Sequence, residues 1–194
     1  PLQLPVKFSL EELDKIQKYI YPGDIVIDIG AHIGDNTIPY ALASGQYGFT
    51  FAFEPNELAH EILVKNISIN KFEDRIAAFN FAIMPEQKEY EFNYIDDGLY
   101  NGGFGSYNGP VTYKVKAVNL VDFFINKYPN LIPNISFIKI DTEGAELEIL
   151  ESSRKLIQES RPKMQIELFK YLEADKRKKL YKLLTEFGYN TYNF

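Results

Sequence analysis

The stretch Ile25-Val26-Ile27-Asp28-Ile29-Gly30-Ala31-His32-Ile33-Gly34-Asp35-Asn36-Thr37 decides the fold. Residues 25–29 are a short β-branched run, the pattern of a buried strand. Asp28 stands near the strand end, and Gly30 and Gly34 sit where the chain must turn sharply and let a ligand approach the backbone. A helix is predicted over 36–44. Strand, glycine loop and helix in that order resemble a nucleotide-cofactor loop. A dinucleotide site carries G-x-G-x-x-G, whose amides and helix N-terminus face a pyrophosphate; here Asp28 holds the first glycine position. A fixed negative charge repels a pyrophosphate and suits a ligand bearing an ammonium or sulfonium group. Glu54, 20 residues beyond Gly34, ends the next predicted strand, where a carboxylate can accept both hydroxyls of a ribose. Together these residues describe an adenosine ligand without phosphates. The plainer alternative is that the glycines only shape a tight turn and Glu54 caps the following helix.

Outward from this loop, apolar strands alternate with helical stripes. Ser9 and Glu12 have capping-box spacing before a helix of about 12 residues, which the Pro22-Gly23 turn stops. Strands are predicted over 49–53, 76–81, 135–140, 162–168 and 189–192. Helices are predicted from Asn56 to Ile69 and over 120–127, 145–158 and 174–187. Residues 89–94 and 111–118 read as a hairpin inserted near 88–118, flanking an aromatic and glycine-rich segment at 94–113. Strands separated by helices imply an α/β fold, a mostly parallel central sheet with helices on both faces. Ligands then sit beyond the carboxyl ends of the strands. That rule selects 28–34, Glu54, Phe81-Ala82, 141–146 and Glu167.

Composition narrows the function. A chain of 194 residues that is 45% hydrophobic suits one domain around one substantial core. The net charge of -6, with the cations scattered except for 176–179, offers no footprint for a phosphate backbone, so nucleic acid is not the expected partner. The absence of cysteine excludes disulfides, thiolate metal sites and a cysteine nucleophile. No apolar run approaches the roughly 20 residues of a membrane span and no signal peptide is visible. A soluble, cytoplasmic domain is expected, and Pro1 in place of an initiator Met reads as a segment of something longer.

A second cluster, Ile138-Lys139-Ile140-Asp141-Thr142-Glu143-Gly144-Ala145-Glu146, crowds acids at another strand end. Asp141 or Thr142 could cap a helix, with Glu143 and Glu146 complementing its positive terminus. Strand alternation nevertheless puts Lys139 and Asp141 on one side, at a strand end expected beside the cofactor loop. Both readings stay open for Asp141, Glu143 and Lys139.

These residues resemble the FkbM-like methyltransferases. The matching segments are VIDIGAHIGDNT at 26–37, Phe53-Glu54-Pro55, NISIN at 66–70, Ala82, IKIDTEGAE at 138–146, Leu150, and the strand from Arg161-Pro162 to Glu167. The resemblance covers roughly 23–168 and implies a Rossmann-like class I methyltransferase fold over 1–194 as a single domain. It also implies S-adenosyl-L-methionine as cofactor and O-methylation of a hydroxyl, often on a sugar, glycan or secondary metabolite. Such folds usually finish with an antiparallel hairpin of the last two strands, and only one is in hand before Phe194. By position, Asp28, Gly30, Ala31, His32 and Gly34 would line the methionine and ribose side and Glu54 the ribose diol. Phe81 and Ala82 would lie near adenine, and Thr37, Pro55 and Asp141 complete the cofactor set.

Methyl transfer requires alignment of the acceptor oxygen and removal of a proton, so Asp141 is the preferred base and Glu167 the reserve. Lys139 either orients that carboxylate or packs its stem on the sheet. His32 and His60 form no metal constellation, and although Asp141, Glu143 and Glu167 would suit Mg²⁺, no metal is expected. The 94–113 segment reads as a lid or sugar platform, as hairpin core, or as an interface. The rivals are an NAD-dependent oxidoreductase, against which Asp28 argues, and an inactive cofactor-binding or scaffolding domain.

Overall fold

The computed structural model describes residues 9–94, 102–103, 111–169 and 172–192. Helix α1 (Leu10–Ile16) is followed by β1 (Ile25–Ile29), α2 (Thr37–Ala43), β2 (Phe49–Phe53), α3 (Glu57–Ile69) and β3 (Ile76–Phe79). Next come β4 (Ala82–Ile83), β5 (Glu89–Tyr94), β6 (Gly102–Gly103), β7 (Val111–Val118), α4 (Leu120–Lys127) and a 3-10 turn (Pro129–Asn134). The chain continues through β8 (Ile135–Ile140), α5 (Glu146–Ser152), α6 (Arg154–Ser160), β9 (Lys163–Ile166) and α7 (Ala174–Glu186).

Five strands form an all-parallel sheet in the order β3-β2-β1-β8-β9. β1 therefore stands where the order reverses: β2 and β3 extend to one side, β8 and β9 to the other. Alternation sorts the side chains onto two faces. Ile27, Ile29, Phe51, Phe53, Ile138 and Ile140 pack with Phe123, Phe124, Leu147 and Leu150 of the helices on one face. On the other, Val26 and Phe137 meet Tyr40, and Ala52 meets Ala41 and Leu63. Aromatic edges organise the first face, with Phe51 at 5.0 Å from Phe124 and 4.9 Å from Tyr128.

The hairpin expected near 88–118 is present: β5 pairs antiparallel with β7, and β4 joins β7 in a second, four-stranded sheet. Most of the 94–113 segment, including Gly98, Tyr100, Phe104, Tyr107 and Gly109, lies outside the described residues.

Four elements differ from expectation by more than a residue or two at their ends. The opening helix, expected to run about 12 residues, stops at Ile16 after 7, and residues 17–19 form a turn. The strand expected over 76–81 ends at Phe79, because Asn80 Nδ2 donates to the carbonyls of Glu54 (3.0 Å) and Pro55 (3.2 Å) and turns the chain into β4. The helix expected over 145–158 is two, broken at Ser153, which has φ -93° and ψ 6°. Residues 189–192 pair with no strand among the described residues; the Tyr189 hydroxyl instead donates to Pro162 O at 2.8 Å while the Arg161 guanidinium covers its ring. Helix α3 starts as expected, Asn56 accepting from Ala59 N at 2.9 Å.

Phe51→Ala removes a ring that is 1% exposed and should lower unfolding free energy by about 3 to 5 kcal/mol in urea titrations. Tyr47→Ala, at a site 81% exposed, should change it by less than about 0.5 kcal/mol. Equal effects would contradict this packing.

Candidate functional site

The carboxyl ends of β1 and β8 define a crevice at the reversal of strand order, where open α/β sheets bind ligands. Gly30 crosses it at φ +81°, and a Cβ there would stand 1.8 Å from Asp141 O, so only glycine lets the two loops meet this closely. Gly34, at φ +96°, faces Leu63, whose Cδ1 would lie 2.8 Å from an added Cβ. The Asn66 amide ties the loop between them to α3, donating to Ile33 O at 2.8 Å.

Beneath the crevice lies a charge cluster. The ladder sets Lys139 of β8 beside Asp28 of β1. The Lys139 ammonium contacts Asp141 at 3.0 Å, Gly30 O at 3.2 Å and Asp28 at 3.6 Å, with the residue 4% exposed. Burial alone pushes this ammonium down, but Asp28 and Asp141 outweigh it and hold its pKa above the ordinary lysine value. Burial raises the Asp28 carboxyl, opposed by Lys139 and by a 2.6 Å hydrogen bond from the Thr37 hydroxyl.

Asp141 neighbours Glu167, whose main-chain amide continues the β8 ladder by donating to Ile140 O at 2.9 Å. The Asp141 charge, and then burial, raise the Glu167 carboxyl above the usual glutamate range. Lys139, Asp141 and Glu167 are therefore brought together. Among the described residues no three acids or histidines group as a metal cage.

Glu54 forms the opposite wall. Its two oxygens accept from His32 N and Asn56 N, each at 2.8 Å, and 7% of the residue remains exposed. Each oxygen keeps a second acceptor position. Burial raises this carboxyl and the two amides oppose the rise. Asn56, not Glu54, caps α3.

The residues expected at the cofactor divide into two groups. Gly30, His32, Pro55, Phe81 and Asp141 retain exposed surface, whereas Glu54 is buried, 7% exposed. Asp28, Ala31, Thr37 and Ala82 are buried, as is Gly34. The charge of Asp28, expected beside the ligand, is instead closed off beneath the loop and matched by Lys139. Phe81 packs against Phe53 and Phe79, and Ala82 lies in β4 within the core.

Glu143 sits at φ +56° in the turn after Asp141. Glu146, expected only to complement a helix terminus, organises that turn. Its Oε1 accepts from Thr142 N (3.1 Å), Thr142 Oγ1 (3.0 Å) and Gly144 N (3.0 Å). Nothing in the sequence singled out this role for Glu146, and Asn66 and Asn80 gave no signal beyond polarity within or after apolar runs.

The comparisons with known proteins agree with this geometry. A crystal structure of methyltransferase FkbM from Methylobacillus flagellatus superposes with TM-score 0.58 at 17% identity, over 89% of this chain and 44% of that one. The tRNA(Phe) (4-demethylwyosine(37)-C(7)) aminocarboxypropyltransferase of Pyrococcus horikoshii is 34% identical over 74 residues, 37% of this chain and 25% of that protein. The ribosomal protein L11 methyltransferase of Carboxydothermus hydrogenoformans is 34% identical over 64 residues, 33% of this chain and 20% of that protein. The chain thus spans about a quarter or less of the curated relatives it matches and under half of the solved one. The Methyltransferase FkbM domain family matches residues 28–191, from the loop that opens the crevice to beyond the last helix, and the chain belongs to that family of S-adenosylmethionine-dependent methyltransferases.

Proposed function

We propose that the chain transfers a methyl group from S-adenosylmethionine to a hydroxyl of a sugar, glycan or secondary metabolite. The observation that carries this reading is that Asp141 and Glu167 stand at neighbouring strand ends beside the crevice, with Lys139 holding Asp141 at 3.0 Å. The residues present fit an adenosine cofactor. Glu54 has acceptor capacity for a ribose diol, Gly30 keeps the crevice floor flat, and Phe81 offers an apolar edge one loop away. Bound there, S-adenosylmethionine supplies an activated methyl group on a sulfonium.

What the chain must add is a place for the acceptor oxygen and a base for its proton. Asp141 is held in an ion pair with Lys139 at 3.0 Å. Glu167 has the raised pKa and the exposed position, so the base role passes to Glu167 and Asp141 becomes its electrostatic partner. This reverses the order that strand position alone suggested. As the oxygen gains the methyl group, its proton moves to the Glu167 carboxylate. Lys139 stays protonated and positions Asp141. A net charge of -6 supports an acceptor that is not a nucleic acid.

Calorimetry should find binding of S-adenosylhomocysteine and none of NAD. Glu54→Ala should weaken that binding by about 1.5 to 3 kcal/mol, the range for hydrogen bonds to a charged group. Binding of NAD alone would contradict the cofactor assignment, and binding without transfer to any hydroxyl would favour the scaffolding alternative.

The pH profile tests the base. A raised carboxyl pKa means that the proton-accepting form appears only as pH rises through a value above the ordinary glutamate range, so kcat/KM should climb there. Asp141→Asn removes the charge that raises Glu167 and should move this limb to lower pH. Glu167→Gln should abolish the limb and lower turnover by about 10² to 10⁴; an unchanged profile would remove Glu167 from the chemistry.

A further inference from the structure

On the sheet face that carries Asp28 and Lys139, a cavity of about 260 Å³ opens between α1, the first turn of α2, and strands β8 and β9. Gln165, Tyr40, Asn36 and Asp35 contribute polar groups to it, Phe137 an apolar wall, and Glu12 a second carboxylate. Its place in the fold is specific. Gln165 stands beside Lys139 in the ladder, and Lys139 beside Asp28. Glu167 lies two residues beyond Gln165, on the same face by strand alternation. The cavity is therefore one step along the strand from the Asp141–Glu167 pair.

Its polar groups have capacity left for a guest. Asn36 opens α2 without using its side chain as a cap. The Tyr40 hydroxyl donates to Gln165 Oε1 at 3.2 Å, leaving the phenolic lone pairs and the Gln165 NH₂ group available. Burial, together with the charges of Asp28, Asp35 and Asp141, holds the Tyr40 phenol neutral far above its ordinary pKa. The carboxylates of Asp35 and Glu12 disfavour an anionic guest, and Lys15 is engaged with Glu11 at 3.0 Å. An apolar guest would strand these polar groups without partners. The volume lies just under the roughly 300 to 1,000 Å³ of sites for drug-sized ligands, enough for a single ring.

We propose that this cavity anchors the non-reacting part of the methyl acceptor, and that its guest is an uncharged, polyhydroxylated ring of monosaccharide size. The inference rests on the O-methyl transfer reading and adds to it where the acceptor binds and that phosphorylated sugars are excluded.

The test uses methyl α-glucopyranoside, methyl α-mannopyranoside, methyl α-galactopyranoside and glucose 1-phosphate as probes. Each is titrated by ligand-observed NMR into wild type, Gln165→Leu and Ile16→Trp, all with S-adenosylhomocysteine present. Ile16 lines the cavity from α1, and tryptophan there fills it. At least one methyl glycoside should bind wild type, bind Gln165→Leu about tenfold more weakly for the lost hydrogen bond, and fail to bind Ile16→Trp. Glucose 1-phosphate should bind less well than the best glycoside. The proposal falls if no glycoside binds wild type, if one binds all three proteins equally, or if the phosphate ester binds best. Should Ile16→Trp fail to fold by circular dichroism, Gln165→Leu decides alone. Calorimetry of S-adenosylhomocysteine on the same samples separates the two levels: retained cofactor binding with failed glycoside binding removes only the cavity assignment, whereas no cofactor binding by wild type removes the methyltransferase reading with it.

Discussion

One buried ammonium sets the geometry on which the site depends. Lys139 reaches Asp28 on the neighbouring strand, Gly30 O in the loop above, and Asp141 at its own strand end. Without that cation, Asp28 would be a buried carboxylate held only by the Thr37 hydroxyl, and the cost of burying it would fall on the two strands that form the crevice. With it, β1 and β8 are clamped at the reversal of strand order. Gly30 completes the clamp by having no side chain to hold the loops apart.

The division of charge follows from this clamp. Negative charge that faces the crevice belongs to Asp141 and Glu167, while the charge of Asp28 is spent on Lys139. The Asp141 charge, and then burial, raise the proton affinity of Glu167, the member of the pair not bound to lysine. The same sheet face carries Gln165 and Tyr40 into the adjoining cavity. A clamp, an acid pair and a pocket thus lie in series along β8 and β9, and the cofactor wall at Glu54 stands across β1 from them.

Much of the fold was legible because its strands are short apolar runs bounded by turns. The β5–β7 hairpin and α4 have the expected limits, and Gly30 and Gly34 marked the loop. The departures come from side-chain contacts between distant segments. Asn80 ends β3 by bonding to carbonyls 25 and 26 residues earlier in the chain. Ser153 divides a helix whose apolar stripe runs through the break. Tyr189 anchors to Pro162 rather than pairing as a strand. In the site, Asp28 was expected to face the ligand because it lies near a strand end; its burial depends on the β1–β8 register, which neither segment reveals alone. Glu146 looked like a helix-terminus acid until the positive φ angles of Glu143 and Gly144 placed the turn around it.

The most direct test of this account is the unfolding free energy of Lys139→Met against wild type, measured by urea titration across pH. Removing one partner of a buried ion cluster should cost about 3 to 5 kcal/mol near neutral pH. Asp28 already has a raised folded-state pKa, so its protonated form favours the fold and any stability gained that way is lost as pH rises through that pKa. The variant, lacking the cation, leans on that protonation more than wild type does. The difference between the two proteins should therefore be largest above the carboxylate range and shrink as pH falls through it. A cost that is small, or the same at every pH, would contradict the claim that Lys139 holds the crevice together.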